Sequence, residues 1–114
     1  MEIQVTKTID FFYAVGSPWA FLGLEPLRDV ALRQGAAIRP RPILLIQENG
    51  GIFSKDRPEP RRRYWLRDLE RWSRRRGKRL KMDGREGLSD PGPASLMVIA
   101  ADLDGLDWFR LTLA

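Results

Sequence analysis

Residues 8–23 read "TIDFFYAV" and then "GSPWAFLG", and the change of rhythm between the two halves decides the fold. The first eight residues are rich in β-branched and aromatic side chains and stop at Gly16, which predicts a short buried strand over 8–15. From Trp19 the apolar positions Phe21, Leu24, Leu27, Val30 and Ala31 recur at three- and four-residue spacing, which is the rhythm of one helix face. Ser17 stands where an N-cap belongs, Pro18 suits the first helical position, and Gly35 closes the helix. Taken alone, Ser-Pro before a helical run is an ordinary start signal.

Residues 36–45, "AAIRPRPILL", read as a second strand. Its two prolines cannot donate ladder hydrogen bonds, so an edge position is expected. A β-α-β order points to an α/β domain with parallel pairing. Residues 46–60 form a loop marked by Asn-Gly-Gly, Pro58 and Pro60. After it, "RRRYWLRDLERWSRRR" over 61–76 places Trp65, Leu69 and Trp72 on one face and arginines around the rest, an amphipathic helix ending near Gly77. The stretch 82–93 is a loop, "ASLMVIAADLDG" reads as an apolar helix ending at Gly105, and "LDWFRLTLA" opens one more. No internal repeat is present.

The 114 residues contain no cysteine and no histidine. Disulfides, thiol redox chemistry on the protein's own side chains and cysteine-based zinc sites are thereby excluded, as is the usual proton shuttle near neutral pH. No metal site is expected, and any nucleophilic sulfur must come from a ligand. No run approaches the roughly 18 apolar residues that span a bilayer, and the N-terminus lacks the pattern of a secretory signal; a cytoplasmic protein without a membrane partner is expected. The net charge of +5 hides an asymmetry: residues 61–81 hold nine Arg and two Lys against Asp68 and Glu70. Such a field draws anions in general and does not choose among them.

At a helix mouth, unpaired backbone N–H groups and about half a positive charge bind anions and lower the pKa of a thiol held there. The run "SPWAFLG" after "IDFFYAV", followed by "RPRPILL", "RRRYWLRDLERW" and "DPGPASLMVIAA", resembles the 2-hydroxychromene-2-carboxylate isomerases and the kappa-class glutathione transferases. These are DsbA-type members of the thioredoxin superfamily, in which a helical domain is inserted into the thioredoxin fold. The resemblance runs from about residue 8 to the end. Redox members carry Cys-Pro-x-Cys where this chain has Ser17-Pro18-Trp19-Ala20. The resemblance implies that serine there cradles the sulfur of glutathione, with Ser17 the catalytic and glutathione-binding residue. By the same resemblance Asn49 and Arg61 also bind glutathione, and Trp19 forms a wall of the substrate pocket. Asn49 reads equally as a turn residue before Gly-Gly. Arg61 stands where the family has Lys, which keeps the charge and changes the geometry, and it reads otherwise as a solvated charge at a helix start.

The implied reaction is a glutathione-dependent cis–trans isomerisation of an aromatic-derived carboxylate in aromatic degradation. The implied fold is the N-terminal β-α-β of a thioredoxin-like core over 1–48, followed by the first part of a helical insertion over 49–114. The C-terminal half of the fold, with its last strands and cis-proline loop, is then missing. A truncated copy of this kind is expected to be inactive alone and to self-associate, as a homodimer for example. Two readings of other classes compete: an inactive interaction fragment, and a nucleic-acid-binding module using the basic helix of 61–81. Nucleic acid is not the expected partner, because Trp65 and Trp72 fall on the face that should pack.

Overall fold

The computed structural model of the chain describes residues 7–44, 57–81 and 91–113. The opening apolar run forms strand β1 (Lys7–Tyr13), which leads through a turn into helix α1 (Pro18–Arg33) and returns as strand β2 (Ala36–Pro42). Helix α2 (Glu59–Arg76), helix α3 (Gly92–Leu103) and the short helix α4 (Trp108–Leu113) follow. The described residues divide into two compact units, with β1, α1, β2, α3 and α4 in one and α2 in the other.

The first unit is built on a parallel pair. Lys7 lies opposite Ala36 and Tyr13 opposite Pro42, the arrangement that a helical crossover between two strands makes possible. Both strands end earlier than their apolar composition suggests. The Ser17 N–H bonds to the Ala14 carbonyl at 3.0 Å, so Ala14 and Val15 enter a turn rather than the ladder. The pairing with β1 closes when Ile43 donates its N–H to the Tyr13 carbonyl at 2.8 Å. Because backbone groups alternate sides along a strand, that bond means Arg39 and Arg41 face β1 while Pro40 and Pro42 face away. The two residues that have no N–H to give therefore sit on the outer side of β2. The expected edge is present, and its direction is now fixed.

The core of this unit consists of Tyr13, Leu22, Leu24, Ala31, Val98, Ala101 and Phe109, all buried. Helices α1 and α3 pack against β2, and α4 packs on α3. Tyr13 joins the strand to the last helix, since its hydroxyl lies 2.9 Å from Thr112 Oγ1. Thr112 in turn donates to the Trp108 carbonyl at 2.9 Å, which leaves its oxygen as the acceptor and Tyr13 as the donor. Burial pushes the Tyr13 phenol above its ordinary pKa. The Arg28 guanidinium lies 4.3 Å from the centre of the Phe109 ring, a cation–π contact between α1 and α4.

In the second unit α2 begins two residues before the expected start, with Pro60 near its N-terminus, where a missing N–H does least harm. It ends at Gly77, whose φ of 64° is open to glycine at no steric cost. The Lys78 N–H then reaches back to the Ser73 carbonyl at 3.0 Å, the Schellman closure of a helix end. Leu69 is buried, Trp65 is half-buried, and Trp72 remains 39% exposed. The amphipathic face is thus narrower than the spacing of the three residues implies.

Candidate active site at the mouth of α1

Ser17 has the extended backbone of an N-cap, with φ −79° and ψ 122°. Its Oγ accepts the Ala20 N–H at 3.3 Å, and its carbonyl accepts the Phe21 N–H at 3.1 Å. The Ser17 N–H, bonded to the Ala14 carbonyl, and the Ala20 N–H, bonded to Ser17 Oγ, account for two of the four N–H positions that a helix start leaves open. Pro18, buried at the first position, has no N–H. That leaves Trp19, whose backbone N–H has no partner among the described residues. A serine hydroxyl has one proton to donate besides its acceptor lone pairs. Since the cap uses only an acceptor side, the proton of Ser17 stays available. The mouth of α1 therefore carries two donors, the Ser17 O–H and the Trp19 N–H, at the positive end of the helix dipole.

Such an arrangement is suited to a small anion. Among the described residues, no heavy atom other than those of Gly16 and its chain neighbours lies within 4 Å of the position a Cβ on Gly16 would take, which leaves room at the turn that precedes the mouth. The Trp19 side chain is 37% exposed. What the mouth of α1 brings together is the Ser17 hydroxyl and the Trp19 backbone N–H. Arg61 belongs to the other unit, in the first turn of α2; it is exposed and has no carboxylate partner among the described residues. Asn49 lies outside the described residues. The backbone donor of Trp19 is the feature of this mouth that residue types do not reveal.

The DSBA-like thioredoxin domain matches the chain over residues 8–105. This chain belongs to that family. Within it, the DSBA-like chain is similar to the 2-hydroxychromene-2-carboxylate isomerase of Sphingobium xenophagum, with 36% identity over 73 residues. The match covers 60% of this chain and 37% of the isomerase, so the chain spans little more than a third of that relative's length. A solved structure of a 2-hydroxychromene-2-carboxylate isomerase aligns with a TM-score of 0.54 and 19% identity, covering 93% of this chain and 70% of the other. At that identity the likeness is one of fold: the β-α-β start and its helices follow a DsbA-like thioredoxin architecture. In this DSBA-like domain no cysteine stands at the helix mouth or elsewhere in the sequence. Among the described residues no cluster of carboxylates could hold a metal ion, and no helix is long and apolar enough to cross a membrane.

Proposed function

We propose that this chain carries the thiol site of a glutathione-dependent isomerase of the 2-hydroxychromene-2-carboxylate type. The observation that carries the reading is the Ser17 hydroxyl, which caps α1 as an acceptor and keeps its proton for a thiolate. When bound, glutathione supplies a thiolate whose addition to a conjugated carbon makes a double bond rotatable and whose departure restores it. The protein's own residues do the electrostatic work. Ser17 donates to the sulfur, the Trp19 N–H and the helix dipole favour its negative charge, and the bound thiol ionises more readily. The same fixed dipoles need no reorganisation as charge moves onto the substrate and back. No proton-shuttling histidine enters this scheme, in keeping with a sequence that has none.

The remaining assignments complete the reading. The Trp19 indole forms one wall for an aromatic-derived carboxylate substrate, while Asn49 and Arg61 contact glutathione, Arg61 through a carboxylate. The exposure of Arg61 and its lack of an acidic partner among the described residues support that role. The cytoplasm, where the glutathione pool is kept reduced, is the fitting compartment.

Calorimetric titration with reduced glutathione and with S-methylglutathione tests the reading directly. Reduced glutathione should bind more tightly and show thiolate absorbance at neutral pH. Turnover of 2-hydroxychromene-2-carboxylate with and without glutathione then reads the chemistry. Equal binding of the two peptides, or none, would overturn the assignment.

A further inference from the structure

The Ser17 mouth uses none of the charge on α2, and that helix has a second pattern of its own. Glu59, Asp68 and Glu70 pair with Arg63, Arg71 and Arg74. Arg62, Arg67, Arg75 and Arg76 have no carboxylate partner among the described residues. Two of these lie against an aromatic ring instead, with the guanidinium carbons of Arg75 and Arg76 at 5.9 and 5.5 Å from the centre of Trp72. A turn and more away, Arg71 lies 5.9 Å from the centre of the Tyr64 ring. Both rings reach solvent, Tyr64 at 59% and Trp72 at 39% exposure. Eight residues separate them, about 12 Å along the helix axis on adjoining sides.

We infer that α2 is a binding surface for single-stranded nucleic acid, with bases stacking on Tyr64 and Trp72 and phosphates held by Arg67, Arg75 and Arg76. The sequence argument against a nucleic-acid partner is that Trp65 and Trp72 should pack; Trp65 is half-buried, but Trp72 remains exposed, and Tyr64 adds a second exposed ring. Exposed rings interleaved with unpaired guanidinium groups match what an unpaired strand offers, since every base has a stacking face and every linkage a charge. A duplex hides those faces. An anionic membrane fits less well, because an interfacial helix needs a continuous apolar face to bury. Here Leu69 is already buried, and the exposed rings are flanked by guanidinium groups. Asp68 lies in the same strip, but Arg71 holds it at 3.0 Å.

Fluorescence anisotropy of a labelled oligothymidylate of about 15 nucleotides, titrated with the full chain, provides the test. Heparin, duplex DNA and phosphatidylserine vesicles serve as comparison ligands. Binding should weaken with salt, and Arg75→Gln with Arg76→Gln should make the log–log salt slope shallower by about 1.4, two contacts at about 0.7 each. Tyr64→Ala, at an exposed position, should weaken the oligothymidylate about 5-fold or more and leave heparin unchanged. Trp72→Phe should retain most of the affinity that Trp72→Ala loses. Tyr64→Ala without effect, equal binding of heparin and oligothymidylate, a preference for duplex, or capture by the vesicles alone would each overturn the inference. None of these readouts depends on glutathione, so the isomerase reading stands or falls separately.

Discussion

Replacing Ser17 separates two roles that one oxygen combines in the structure. Ser17→Ala removes the acceptor for the Ala20 N–H, and loss of such a cap costs about 1 kcal/mol. In a unit of this size that should lower Tm by about 4–8 °C. The same change removes a hydrogen bond to a bound thiolate, worth about 1.5–3 kcal/mol because the acceptor is charged. Glutathione affinity should then fall about 10- to 150-fold, and the bound thiol's pKa should rise by about 1 to 2. Ser17→Asp divides the effects. A carboxylate caps a helix at least as well as serine and suits its positive end, so Tm should hold or rise. Its charge repels a thiolate, so affinity should fall as far as in the alanine variant or further. Ser17→Thr, which keeps both functions, should stay near wild type in both measurements. Differential scanning calorimetry and glutathione titration at fixed pH read the two axes independently. If Ser17→Asp binds glutathione like wild type, or Ser17→Ala loses stability and no affinity, the hydroxyl is a helix cap and nothing more.

Two further expectations concern the fold itself. Tyr13→Phe removes the bond to Thr112 and should cost about 0.5–1.5 kcal/mol near neutral pH. Its pH dependence has a definite sign: the unfolded phenol releases its proton near pH 10 while the folded one holds it longer. The wild type should therefore lose stability as pH rises above about 10, a drop missing from the phenylalanine variant, and chemical denaturation across pH 8–11 checks this. Leu24→Ala, at a side chain 1% exposed, should cost about 2–5 kcal/mol, a large part of a small domain's stability of about 5–15 kcal/mol. Urea titration followed by far-UV circular dichroism would show it as an early midpoint.

Local chemistry was readable from the sequence where it acts over a few residues. Ser17 and Pro18 announce the start of α1, Gly77 ends α2, and the apolar spacing after Pro93 announces α3. The strand ends were not readable, because Ala14 and Val15 are as apolar as the residues before them. What stops β1 is a hydrogen bond from Ser17 back to Ala14. Contacts that depend on distant segments were equally silent. Nothing near Tyr13 announces Thr112, 99 residues on, and nothing near Arg28 announces Phe109. At the candidate site the residue types were visible at Ser17 and Trp19. The use of Trp19 as a backbone donor depends on which N–H the cap leaves free, and only the hydrogen-bond geometry tells.

Pro40 and Pro42 give this sheet a direction of growth. Their side of β2 has no donors at those two positions, so a neighbouring strand arriving there would lose two ladder bonds. The outer side of β1 keeps its full set at Thr8, Asp10 and Phe12, by the same alternation that turns Ile9, Phe11 and Tyr13 toward β2. Any strand recruited to this sheet is therefore steered to β1, the strand that runs directly into the turn before Ser17. Two prolines on one edge thus act at a distance on the other: by closing the far border they assign every newcomer a place beside the segment that leads to Ser17.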